Sequence, residues 1–129
     1  MQLYLPAMHD ENTKVVFMVH GGGWVVGYNV TDKVTTFDGR YGWDILNPLL
    51  NAGYACAVMK YRTACYQTDT STITNNSMRF LDQMMTDIDL AAAHLQDNAT
   101  ELGIRNDHFQ LLGESAGGHI VTAYAIRSA

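Results

Sequence analysis

The sequence predicts an α/β fold: a central, mainly parallel sheet with helices on both faces. Three observations predict it. Short, continuous apolar runs at residues 15–19, 54–61 and 109–112 alternate with segments of helical period. Two glycine-rich stretches, HGGGWVVG at 20–27 and LLGESAGGH at 111–119, fall where an apolar run ends. The chain of 129 residues, 47% apolar, can bury one core but not two, so residues 1–129 are expected to form a single domain.

The elements follow in order. Residues 15–19 (VVFMV) form a continuous apolar run, the pattern of a strand buried on both faces, and the glycines after it stop the strand. Residues 44–52 (DILNPLLNA) read as a short helix despite Pro48, with Gly53 as its C-terminal stop. Residues 54–61 (YACAVMKY) read as a second buried strand, and residues 62–76, rich in Thr and Asn, as a long loop. The longest helix is predicted over 77–102, with Ser77 as N-cap, Gly103 as stop, and an apolar stripe of Phe80, Leu81, Met84, Met85, Ile88, Ala91, Ala92 and Leu95. Residues 109–112 are the third strand and 116–126 an apolar helix after it.

Composition narrows the partners. The formal charge of -5 is spread without a basic run, which argues against nucleic acid or an anionic membrane surface. No segment approaches the ~18 apolar residues of a membrane span. The N-terminus MQLYLPAMHDENTK lacks the regions of a secretory signal, so the chain reads as cytoplasmic if residue 1 is the native start, and the compartment is otherwise open. Cys56 and Cys65 have no metal or redox spacing; Cys56 is expected to be a small buried hydrophobe and Cys65 to lie in a polar loop.

Gly113, Ser115 and Gly117 spell G-x-S-x-G between a predicted strand and a predicted helix, the setting in which such a turn projects a serine hydroxyl above a sheet. The flanking glycines let strand and helix approach closely. If the 15–19 strand lies between the other two, the loops at 20–24 and 113–117 emerge side by side at the carboxyl edge, where open parallel sheets bind ligands. One loop then supplies a nucleophile and the other bare N–H groups, which glycine leaves unobstructed. Acyl transfer needs this pairing, since donors aimed at a developing oxyanion are typically worth ~3 to 4 kcal/mol each.

HGGGW, Tyr61-Arg62 and GESAGGH together resemble the hormone-sensitive-lipase and carboxylesterase branch of the α/β-hydrolases. LYLP (3–6) is similar to that family's second-strand segment, and DIDLAAAHLQDNA (87–99) to the helix before its serine turn. The resemblance implies a partial α/β-hydrolase fold, a three-layer sandwich, and a serine carboxylesterase or lipase acting on a small-molecule ester. It implies Ser115 as nucleophile, the N–H groups of Gly22, Gly23 and Ala116 as oxyanion donors, and His20, Gly21, Gly113, Glu114 and Gly117 as supporting residues. His20 would brace the glycine loop, Glu114 would sit behind the turn, and Asp87 would pair with Arg62. No metal or organic cofactor is implied. Two loops depart from the family: TACYQTDTSTITNN replaces a proline-containing segment, and Arg105-Asn106 stand where Asp and Pro are frequent.

In this fold the triad runs serine, acid, histidine. After Ser115 the sequence holds one histidine, His119, and no acid. The expectation is therefore an N-terminal hydrolase half, inactive alone, whose triad acid and histidine lie elsewhere. Residues 109–112 would then leave an apolar sheet edge open to self-association. His119 reads as a packed or capping helix residue and not a base; His9, His94 and His108 are expected to be exposed. Trp24, Tyr28 and Trp43 could line a pocket or be core. Two other classes compete. A nucleotide-binding module is opposed by the spacing of Gly21, Gly22, Gly23 and Gly27, which fits neither phosphate-loop pattern. A noncatalytic hydrolase-derived binding module stays open.

Overall fold

The computed structural model describes residues 1–24, 40–63 and 70–129; Gly27, Tyr28, Cys65 and the middle of the 62–76 segment lie outside them. The elements are β1 (Gln2–Tyr4), β2 (Val15–Val19), α1 (Arg40–Asn51), β3 (Ala55–Met59), α2 (Thr70–Asp97), α3 (Ala99–Leu102), β4 (Phe109–Gly113) and α4 (Ala116–Ser128). The sheet runs β1-β3-β2-β4. β2 pairs in parallel with β3 (Val15↔Ala55 to Val19↔Met59) and with β4 (Val15↔Phe109 to Val19↔Gly113). β1 adds an antiparallel edge, Gln2↔Val58 to Tyr4↔Cys56. The expected central position of the 15–19 strand is observed, and the carboxyl ends of three strands stand level at Val19, Met59 and Gly113.

The continuous apolar runs exist because both faces of the sheet are covered. Val15, Phe17, Val19, Ala55, Ala57 and Met59 face Met84, Met85, Ile88 and Leu95 of α2, with Ile120 of α4. Val16, Met18, Cys56 and Val58 face Leu46 of α1, with Ile45, Leu49 and Leu50 beside it. Side chains of this size contribute about 1.5–3 kcal/mol each when removed from water. β4 ends the sheet, and its residues are only half-buried apart from exposed Gln110.

Three boundaries differ from expectation. α1 begins at Arg40, four residues before the predicted start, and ends as predicted before Gly53, whose φ of 87° and N–H bond to the Leu50 carbonyl (3.0 Å) terminate it. α2 begins at Thr70, so Ser77 is inside the helix and is not its N-cap, and residues 70–76 are helical where a loop was predicted. Thr and Asn are weak helix formers, but propensity is a weak prior, and adding turns to a helix already packed over Phe80–Leu95 needs no new nucleus. The predicted single helix to residue 102 is broken at Asn98, whose side-chain amide donates to the His94 carbonyl (2.8 Å) in competition with the backbone ladder. Gly103 closes α3 as expected, with φ 61°. Among the described residues, no helix is long and apolar enough to cross a membrane.

Candidate active site

The turn between β4 and α4 holds Ser115 at φ 52°, ψ -119°. Serine lacks the freedom of glycine in this region, and such a conformation costs of order 1–3 kcal/mol unless the surroundings impose it. Here the surroundings do. The Glu114 N–H bonds to the Val19 carbonyl (3.3 Å), the Gly117 N–H to the Glu114 carbonyl (2.8 Å), and the His119 N–H to the Ser115 carbonyl (3.1 Å). Ser115 is exposed, whereas Ala116 and Gly117 behind it are buried.

The two flanking glycines are required by space. A Cβ on Gly113 would overlap the Gly117 carbonyl and stand 2.7 Å from the Gly118 nitrogen. One on Gly117 would overlap the Val19 carbonyl oxygen and stand 2.6 Å from that of His20. The start of α4 therefore rests directly on the end of β2.

The glycine loop after β2 touches this turn. A Cβ on Gly21 would overlap the Glu114 carboxylate and reach 3.1 Å from the Ser115 Cβ. Gly22 and Gly23 then follow with φ of 111° and 59°, and Trp24 with 63°. Gly21 is thus a glycine for closeness and the next two for backbone conformation. The structure brings Gly21, Glu114 and Ser115 together, and it puts Ala116 at the first position of α4, where a backbone N–H has no partner within its own helix.

The base of the loop is braced from below. His20 is fully buried, its Nδ1 donates to the Gly21 carbonyl (2.5 Å), and its ring stacks on Tyr61 at 4.2 Å. The Tyr61 hydroxyl donates to the carbonyls of His20 (2.9 Å) and Gly21 (3.2 Å). Burial lowers the His20 pKa below its usual value, so the ring is neutral at pH 7. His20, expected to brace the loop, contacts Gly21 and Tyr61 at the loop's base. Tyr61 shares that role, which the sequence reading missed; the available signal was a tyrosine at the end of a buried strand, whose hydroxyl must find a partner.

Next to Tyr61, Arg62 and Asp87 pair as expected. The Arg62 backbone N–H and Nε both donate to the Asp87 carboxylate (2.8 and 3.0 Å), and Nη2 lies 2.9 Å from it. This fixes the end of β3 to α2.

Other expectations are corrected. His119 is exposed rather than buried in the core, and its ring stands edge-on to Trp24 at 5.5 Å. Trp24 and Trp43 are not core: they are 40% and 41% exposed. Trp43 contacts Tyr4 (5.7 Å) on the β1 edge, at the far end of the sheet from Ser115, so it lines no pocket there. His9, His94 and His108 are exposed, as predicted.

The BD-FAE family model matches residues 1–129. The chain is 25% identical over its 129 residues to the isoprenylcysteine alpha-carbonyl methylesterase ICME of Arabidopsis thaliana, covering 100% of this chain and 25% of that one. Among solved structures, a bifunctional GH43-CE protein of Bacteroides eggerthii superposes with a TM-score of 0.64 at 20% identity, over 93% of this chain and 14% of the other. MGS-M1, an alpha/beta hydrolase enzyme from a Medee basin deep-sea metagenome library, superposes at 0.58 and 22% identity, over 87% of this chain and 37% of the other. The fold is that of α/β-hydrolases, and the chain spans about a quarter of the length of the curated relative it matches.

Proposed function

This chain belongs to the BD-FAE family, and from that premise we propose that Ser115 is the nucleophile of a carboxylic ester hydrolase. The observation that carries the reading is the exposed Ser115, held at φ 52° in the β4–α4 turn against a glycine loop with two consecutive positive-φ glycines. In the proposed reaction the Ser115 Oγ attacks the ester carbonyl carbon while a base takes its proton. The N–H groups of Gly22, Gly23 and Ala116 receive the developing oxyanion. Collapse expels the alcohol, protonated by the same base, and water releases the acid from Ser115 by the reverse route.

The base is a histidine outside residues 1–129 in this proposal. His20 is buried beneath the loop and engaged with Gly21 and Tyr61, and the His119 ring leans on Trp24. We read residues 1–129 as the nucleophile and oxyanion half of one hydrolase domain, with the acid and histidine on further strands that pair with the β4 edge. Separated from those strands, the half self-associates through that edge. The substrate is a small-molecule carboxylic ester; the esterase named among the relatives supports that class.

The test is hydrolysis of p-nitrophenyl acetate by the protein expressed from its full reading frame, beside its Ser115→Ala variant. Turnover that disappears with Ser115→Ala supports the reading. Equal turnover in the two proteins, or none in either, refutes it.

A further inference from the structure

Among the described residues, two non-glycine residues have positive φ: Trp24 at 63° and Ser115 at 52°. One carries the loop of the proposed oxyanion donors away from Gly23, and the other is the proposed nucleophile. His119 touches both. Its N–H bonds to the Ser115 carbonyl (3.1 Å) in the first turn of α4, and its ring meets the Trp24 ring edge-on, centroids 5.5 Å apart at 90°. That separation and angle are the favourable arrangement of two aromatic rings. The backbone bond ties the His119 main chain to Ser115, and the ring contact reaches from there across to Trp24 at the end of the glycine loop.

Building on the esterase reading, we propose that His119 is a positioning residue that sets the spacing of the Gly22–Gly23 loop from Ser115 through Trp24. Among the described residues, nothing stands within 4 Å of where a Gly23 Cβ would be, so none of them packs on the loop at that position. Trp24 is where the loop can be gripped. A donor displaced from the oxyanion stabilises the transition state less while leaving substrate binding nearly intact, so the loss falls on kcat rather than KM.

The test uses the protein from its full reading frame and p-nitrophenyl acetate. His119→Ala should lower kcat about tenfold to a hundredfold with KM within about twofold. His119→Phe, which keeps an edge-on ring, should recover most of the loss, and Trp24→Ala with His119→Ala should be no worse than either alone. The emission that Trp24→Phe removes is that of Trp24, and His119→Ala should change it. Full kcat in folded His119→Ala, losses that multiply in the double variant, or emission indifferent to His119→Ala overturns the inference. Absence of Ser115-dependent turnover in the parent protein overturns the esterase reading and the inference with it. Ser115-dependent turnover with unchanged Trp24 emission overturns the inference alone.

Discussion

Substituting Gly117 with alanine puts a methyl group onto the backbone of β2. The new Cβ would overlap the Val19 carbonyl oxygen, and it would stand 2.6 Å from the His20 oxygen and 2.7 Å from the Val19 carbonyl carbon. These atoms are main chain, those of Val19 at the end of a strand paired on both sides and that of His20 just after it, so no flexible side chain can yield. Overpacking of this kind costs about 1–3 kcal/mol, and the better helix propensity of alanine offsets about 1 kcal/mol at most. The rigid surroundings place Gly117→Ala near the top of that range, a net loss of about 2 kcal/mol. Gly118→Ala is the control: its Cβ would stand 3.3 Å from the Gly113 oxygen, so the propensity gain nearly balances the contact. With a urea slope of about 2 kcal/mol/M, Gly117→Ala should lower the unfolding midpoint by about 1 M, and Gly118→Ala should leave it within about 0.5 M. The assay is urea unfolding followed by far-UV circular dichroism. A Gly117→Ala midpoint equal to the parent's, or the same drop for both variants, would refute the claim that α4 rests on the end of β2.

Four further outcomes follow from the same contacts. Tyr61→Phe removes the donor to the His20 and Gly21 carbonyls and should destabilise the protein by about 1–3 kcal/mol in the same unfolding assay, with a lower kcat on p-nitrophenyl acetate. His20 has a lowered pKa, chiefly from burial, which outweighs the opposing hydrogen bond to the Gly21 carbonyl, with Lys60 lowering it further and Glu114 raising it. Its contribution is therefore present above about pH 6.5 and lost as pH falls through its folded value, so a stability–pH curve should drop there and flatten in His20→Gln. Cys56 is fully buried and its thiol is pushed up to about 11; in a Cys65→Ser background it should resist a thiol reagent at pH 8 until denaturant is added. Asp87→Ala should lower the unfolding midpoint more than Asp89→Ala, because Asp87 accepts the Arg62 backbone N–H as well as its side chain, whereas Asp89, among the described residues, bonds side chains alone, the Tyr124 hydroxyl and Arg127.

The strands were legible in the sequence because a strand covered on both faces must be apolar at every position, as residues 15–19 and 55–59 are. The Ser115 turn and the glycine loop were legible because close approach and positive φ leave few alternatives to glycine. Helix ends were less so: neither the Thr70 start of α2 nor the break at Asn98 follows from propensity, since one depends on packing further along the helix and the other on a single side-chain hydrogen bond. Tyr61 under the loop and His119 against Trp24 join residues 41 and 95 positions apart, and local pattern carries no information about such pairs.

The most direct test of the account is covalent labelling of the protein from its full reading frame with a fluorophosphonate, with the modified peptide located by mass spectrometry. The account predicts a single adduct on Ser115, absent in Ser115→Ala. An adduct on another serine, with Ser115 unmodified while the protein hydrolyses esters, would contradict it.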